Sequence, residues 1–393
     1  MKFKIIPVLF TLTLIMISGI PFESAFADAT SGEIFYTRFS GSDRVEKRTV
    51  SYDGVSTLTV GARTVLATSA QMEAAPGSGG TSGADGIIGN PNDPASLIVG
   101  GQSTDRLFRV LKAGGVVSAT PVGTDAYHLE GEPDIGPAGS VYVSNIPGAL
   151  ARVALNADGT IGSSTAITLV GHDTQVTQII KTPSGYYYTR SGSGGNGVYG
   201  TITFVGNTGT TTRLHAAAGT FGGPAGSVGI LNLPATHGGV YDPYTNKVIT
   251  FGDNFMTQFD LAGNIVSTLD ITGKGTNTPG AGSFQLDQGT VDGAGHVFAA
   301  CNCGNLYFVD YRASGLVGAA TNFIENPFLG SSLDDIAPLT GFGTTEEPVG
   351  GSILPIDTVA LLVAGIQSMT IWIAPVLAGA AGTAAFYLKT RKN

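Results

Sequence analysis

Apolar residues in this chain fall in short runs of strand length, rich in β-branched and aromatic residues, and aspartate, glycine or proline breaks each run. The clearest case is Glu132-Pro133-Asp134-Ile135-Gly136-Pro137-Ala138-Gly139 followed by Ser140-Val141-Tyr142-Val143. The same design returns as Gln178-Ile179-Ile180-Lys181-Thr182-Pro183-Ser184-Gly185 before Tyr186-Tyr187-Tyr188-Thr189. It returns again as Gln288-Gly289-Thr290-Val291-Asp292-Gly293-Ala294-Gly295 before His296-Val297-Phe298-Ala299, and more loosely at 240–250. A third strand follows each pair, at 149–155, 197–204, 255–261 and 305–311, and a fourth at 166–170, 211–214 and 265–269. Residues 84–122 fit the same plan, whereas the last full repeat, 288–323, has a weak fourth strand. Five repeats of about four strands each are the spacing of blades around an axis.

A sixth set at the N-terminus, 33–39, 44–50 and 57–66, lacks its first strand. Leu333-Asp334-Asp335-Ile336-Ala337-Pro338-Leu339 is a strand with no hairpin partner of its own. Placing it innermost in the N-terminal set closes a ring and removes open edges. The pattern therefore predicts an all-β, six-bladed β-propeller over 28–343, with seven blades or a sandwich as the alternatives.

The two ends follow other rules. Lys2 and Lys4, the apolar run 5–20 and Ala25-Phe26-Ala27 make 1–27 a signal peptide. Residues 344–353, polar and rich in glycine and proline, read as a stalk linker. The segment 354–393 reads as a hydrophobic membrane anchor with a basic tail, since 358–388 carries no charged side chain and Lys389, Arg391 and Lys392 follow. Pro375 leaves two arrangements open, one crossing helix preceded by an interfacial one or a single kinked segment. The expected location is the cell surface, with the globular part outside and the membrane reached through the C-terminal segment.

Composition narrows the partners. Of 393 residues 58 are glycine and only 12% are charged, against averages of about 7% and about 25%, so the chain is dense in turns. A net charge of −9 without a basic stripe excludes nucleic acid. Cys301 and Cys303 share one face of a strand, which favours two thiols, although an oxidising exterior permits a bond. The glycine-rich stretch 191–197 has no helix after it and is a hairpin turn rather than a phosphate loop.

Candidate chemistry sits where inner strands meet the channel. Aligning the repeats on their turns puts Glu132, Gln178 and Gln288 at one level, with Asp334 placed there more loosely, while His128, Glu130, His172, Asp173, His237 and Asp287 lie in or near the preceding loops. Imidazoles and carboxylates converging on one axis suit a divalent cation, and the metal-site candidates are His128, Glu132, His237 and Asp334. The plainer alternative is that these groups only solvate a wet channel.

Two resemblances rest on particular residues. The run from Gln288 through Cys301-Asn302-Cys303-Gly304-Asn305 to Leu339 resembles the closing blade of secreted prokaryotic propeller proteins, some of which carry a PEP-CTERM sorting segment whose Pro-Glu-Pro signature is absent here. The tail, Gly350-Gly351-Ser352-Ile353-Leu354-Pro355-Ile356-Asp357 with Ala360-Leu361-Leu362, Ala364-Gly365, Gln367-Ser368, Trp372 and the final Arg391-Lys392-Asn393, resembles the C-terminal anchors of surface proteins from ammonia-oxidising archaea. These resemblances imply export and surface retention. Six-bladed lactonases and streptogramin lyases are similar in plan and use sites at the channel mouth, but their signatures are not found here.

Three functions follow. The first is a surface-anchored binding module that presents the loops 68–84 and 216–235 to an extracellular or envelope protein or a glycan ligand. The second is a metal-dependent hydrolase or lyase at the channel mouth, and the third a structural envelope component. The sequence favours the first.

Overall fold

The computed structural model describes residues 30–80, 83–145, 148–191, 197–216, 236–252, 254–272, 286–327 and 333–337. The expected signal peptide, stalk and anchor lie outside these residues, as do the loop 217–235 and most of the glycine-rich stretch. Among the described residues, no helix is long and apolar enough to cross a membrane.

Strands come in sets of four. The first set is β1 (Thr30–Arg38), β2 (Asp43–Tyr52), β3 (Leu58–Val60) and β4 (Thr64–Thr68), and the second β5 (Gly83–Gly89), β6 (Ser96–Gln102), β7 (Arg106–Leu111) and β8 (Val116–Pro121). The third is β9 (His128–Glu132), β10 (Ser140–Ser144), β11 (Leu150–Leu155) and β12 (Ile161–Gly171), and the fourth β13 (Gln178–Thr182), β14 (Gly185–Ser191), β15 (Gly197–Val205) and β16 (Thr208–Ala216). The fifth is β17 (Gly239–Asp242), β18 (Lys247–Gly252), β19 (Phe255–Phe259) and β20 (Ile265–Asp270), and the sixth β21 (Leu286–Val291), β22 (His296–Cys301), β23 (Asn305–Asp310) and β24 (Asn322–Pro327). The last strand is β25 (Leu333–Ile336).

Within the second to sixth sets each strand pairs antiparallel with the next, and in the first set β1 and β2 pair in the same way. β25 pairs antiparallel with β1, Ile336 opposite Tyr36 and Leu333 opposite Arg38, so the N-terminal set obtains its innermost strand from the far end of the sequence. The innermost strands touch in the order β25, β5, β9, β13, β17, β21 and back to β25. The architecture is all-β and propeller-like, a closed ring with the inner strands around its axis.

Both faces of a sheet in such a ring are covered by neighbours, and the burial shows it. β22 and β23 are buried at every position, which explains why they read as continuous apolar runs rather than alternations. Six apolar clusters fill the six junctions between adjacent sets. At the first, Phe35, Val45 and Leu66 meet Ile87, Val99 and Phe108; at the closing junction, Ile34, Tyr36 and Tyr52 meet Phe298 and Phe308, with Leu333 and Ile336 beside them. Phe108 is wholly buried, and truncating such a side chain to alanine costs about 3–5 kcal/mol.

The structure departs from the sequence reading in four places. The single strand expected over 57–66 is two, β3 and β4, both on β2. At the break, Gly61 N donates to Thr49 O, and a Cβ on Gly61 would meet the Thr49 hydroxyl oxygen at 2.1 Å. The expected open loop after Thr68 contains a short helix, α1 (Ser69–Ala74), held by a Thr68/Gln71 capping box with Met72 buried beneath it. Cys301 and Cys303 are joined by a disulfide rather than being two thiols. Lastly, β12 runs past its own set and pairs in parallel with β16, joining the third and fourth sheets at their outer edges.

Candidate metal centre

Three of the inner strands lose regular pairing near their starts. β5 shifts register between Ala84 and Ile87, β21 between Leu286 and Gly289, and β25 between its pairings to Tyr36 and Arg38. Asp85, Asp287 and the pair Asp334-Asp335 fall within these shifts. A bulge re-aims side chains that regular alternation would direct elsewhere.

Histidines join them from two more sets. His128 opens β9, opposite Ser144. His237 lies just before β17, its N–H donating to Phe251 O while its carbonyl accepts from the Thr189 hydroxyl. Glycines permit the close approach of one inner strand to the next. A Cβ on Gly86 would lie 2.4 Å from Tyr127 O, and one on Gly238 would lie 2.5 Å from Asp287 O.

The resulting cluster is buried, each of Asp85, His128, His237, Asp287, Asp334 and Asp335 being at most 3% exposed. The His128 and His237 rings meet edge to face with centroids 4.7 Å apart. His237 Nδ1 forms an ion pair with Asp287 Oδ1, and His128 Nδ1 lies 3.5 Å from Asp335 Oδ2. Two sets of possible ligand atoms, His128/His237/Asp287 and Asp85/His128/Asp335, each fall within 4.8 Å of one another. His128 belongs to both.

Protein partners satisfy this cluster only in part. Both ring nitrogens of His128, both carboxylate oxygens of Asp335 and Asp334 Oδ2 are buried without a hydrogen-bond partner among the described residues. His128 and Asp335 face each other as a long ion pair.

Proton affinities are pulled apart. Burial, aided by the charges of Asp335 and Asp287, holds the Asp85 carboxyl well above the usual range. Burial, together with Asp85 and Asp287, does the same to Asp334. Asp335 is also raised by burial, although His128 opposes the shift. Burial pushes Asp287 up too, but His237 beside it outweighs that effect and holds it low. The His128 ring is disfavoured as a cation by burial, yet Asp335 more than offsets this and its pKa rises.

Of the four residues singled out from the sequence, the structure brings His128 and His237 together and places Asp334 among the same buried carboxylates. Glu132 is elsewhere. It ends β9 and is held by the Lys181 ammonium at 2.7 Å, the Tyr186 hydroxyl and the Asp134 N–H. Turn alignment misplaced it because the β9–β10 connection spans 133–139 whereas the β13–β14 connection spans only 183–184. Paired strand ends show that His128, opposite Ser144, corresponds to Gln178, opposite Thr189.

Gln178 is a strut, its Oε1 accepting from Gly239 N at 2.6 Å. His172 accepts from Arg213 N, and Asp173 is clamped by Arg213 and Arg190, so neither belongs to the ligand groups. Asp85 and Asp335 were missed, and Asp287 was placed only in a nearby loop. A polar residue followed by glycine in Asp85-Gly86 and His237-Gly238, and one step removed in Asp287-Gln288-Gly289, was the available signal.

No protein-family model and no curated protein sequence matches the chain. Among solved structures, a catalytically inactive variant of virginiamycin B lyase from Staphylococcus aureus, with quinupristin, is similar at 12% identity and a TM-score of 0.42, over 78% of this chain and 86% of that one. A protein of unknown function from Bacteroides caccae is similar at 10% identity and a TM-score of 0.44, over 79% and 99%. A calcium-binding protein, regucalcin, from Agrobacterium tumefaciens is similar at 13% identity and a TM-score of 0.43, over 66% and 78%. Likeness at this level assigns nothing to the present chain.

Proposed function

We propose that the axis of the ring holds a divalent cation and that the protein is a metal-dependent hydrolase or lyase acting at the channel mouth. One observation carries the reading: five ionisable side chains from five inner-strand regions converge while buried, and His128 and Asp335 are held to each other only by a long 3.5 Å contact. Buried carboxylates without a partner are costly, and a cation offsets that cost. Two imidazoles among carboxylates suit a borderline ion such as Zn²⁺ better than Ca²⁺.

A bound ion supplies Lewis acidity toward a carbonyl or leaving-group oxygen. His128, Asp335 and Asp85 on one side, and His237 and Asp287 on the other, are the ligands available to it. Burial and the charges of Asp85 and Asp287 raise the proton affinity of Asp334, which suits it to act as a general acid. Export and surface anchoring remain part of the proposal, and the Cys301–Cys303 disulfide supports an oxidising compartment. The binding-module reading is weaker, because one of its two loops holds a capped helix buried at Met72.

Elemental mass spectrometry on the full chain purified without chelator tests the centre. Bound metal is expected in the wild type and in Glu132→Ala, and should be absent from His128→Ala and Asp287→Ala. A wild type without metal that also takes up none of Zn²⁺, Mn²⁺ or Ca²⁺ on dialysis would sink the reading.

A further inference from the structure

The hairpin between β22 and β23 turns at Cys301-Asn302-Cys303-Gly304, which is closed twice. A disulfide joins Cys301 to Cys303, and Gly304, at φ +90°, donates its N–H to Cys301 O at 2.8 Å. Leu286 of β21 pairs with Cys301, so the turn lies beside the start of that inner strand. From it the Asn302 side-chain nitrogen donates to Asp287 Oδ2 at 3.0 Å. The other oxygen of Asp287 faces His237 Nδ1. Asn302 therefore fixes the plane of the carboxylate, and with it which oxygen is turned toward the two histidines.

Access to the bond is uneven. Cys301 is wholly buried and Cys303 is exposed, so a small thiol reaches the disulfide from the Cys303 side.

We propose that this disulfide-closed turn is a positioning device for the cation centre. Asn302 holds Asp287 in its ligating orientation, and the thiol–disulfide state of Cys301 and Cys303 sets the affinity of the centre. The inference rests on the cation reading above. In the reducing direction a dithiol delivers two electrons to the Cys301–Cys303 bond, which breaks; its two protons end on the two cysteine sulfurs, and the dithiol closes to its own disulfide. The opened turn loses the covalent link across Asn302, and Asp287 loses its fixed donor. Groups that orient a metal ligand typically govern affinity by about 10–100-fold.

Mn²⁺ is the probe, because it binds carboxylates and has little preference for free thiols. Its Kd is measured by calorimetry, and its paramagnetic resonance line shape recorded, for the full chain oxidised, reduced with dithiothreitol, and as Asn302→Ala and Asn302→Ser. Kd should rise about tenfold on reduction and in Asn302→Ala. Serine, which keeps a donor, should recover part of the loss, and Asn302→Ala should no longer respond to dithiothreitol. Melting curves of the metal-free proteins separate a structural effect. If the variants and the reduced chain melt lower but bind Mn²⁺ with the wild-type Kd and line shape, the inference is overturned and the cation reading stands. If the oxidised wild type binds neither Mn²⁺ nor Zn²⁺, both fall together.

Discussion

Strand β9 carries a buried acidic environment at each end, and the two ends are built in opposite ways. At its C-terminal end Glu132 is fully buried, but Lys181, Tyr186 and the Asp134 N–H converge on its carboxylate. At its N-terminal end His128 stands among Asp85, Asp287 and Asp335 with neither ring nitrogen hydrogen-bonded, and Asp335 has no hydrogen-bond donor to its carboxylate. Burial and charge are alike; compensation is not. A carboxylate with three donors strengthens the ring, whereas a cluster only partly supplied with donors persists at a cost.

Removing compensation at the first end should have the largest effect. Lys181→Met leaves Glu132 buried beside a tyrosine and a backbone N–H only, and should lower unfolding free energy by about 3 kcal/mol in denaturant titrations. No loss in Lys181→Met would erase the distinction between the two ends.

The middle of the strand gives a pH-dependent version of the same contrast. Glu130 accepts from Lys181 N at 3.1 Å, and burial pushes its pKa up to about 8, with the Lys181 N–H opposing and the Glu132 charge adding. The folded state keeps this proton where the unfolded chain, near 4.5, has released it. Stability should therefore fall as pH rises from about 4.5 to about 8 and stay low above that. Glu130→Gln should remove roughly 2 kcal/mol of that slope, a figure reduced for the partial exposure of the side chain. An unchanged slope in melting experiments across this range would place Glu130 among the ordinary, solvated carboxylates.

The smallest effect on folding is expected at the other end, and with the opposite sign. Asp335→Asn removes a buried carboxylate that has only the long contact to His128 and that repels Asp85 and Asp334, so the chelated protein should be unchanged or more stable by about 1 kcal/mol. The same variant should bind Zn²⁺ at least about tenfold more weakly, about 1.4 kcal/mol. A destabilised chelated Asp335→Asn with normal Zn²⁺ affinity would show that the cluster is a structural ion-pair network like the one around Glu132.

Strand-level organisation was largely legible in the sequence. Short apolar runs, glycine turns and the partnerless stretch at Leu333 sufficed to place β25 against β1, because the inner edge of a closed ring needs a strand and the chain offered one. The site was legible only in part. His128 and His237 stood out by type, yet Glu132 was assigned to the wrong level because a turn of one length was aligned with a turn of another. Asp85 and Asp335 escaped because bulges, which residue alternation does not encode, decide where their side chains point. The parallel seam between β12 and β16 was equally hidden, since neither strand's composition names a partner outside its own set.

Closing the ring from the far end also imposes an order of events. Asp335 N and Thr37 Oγ1 are bonded across 298 residues of sequence, and β25 carries both Asp334 and Asp335. A ribosome delivers that strand after every other strand, and such a long-range contact is slow to form. A growing or C-terminally clipped chain thus holds an open ring and an incomplete ligand set. The Asp85/His128/Asp335 group is therefore complete only once the ring has closed, whereas His128/His237/Asp287 needs nothing from β25.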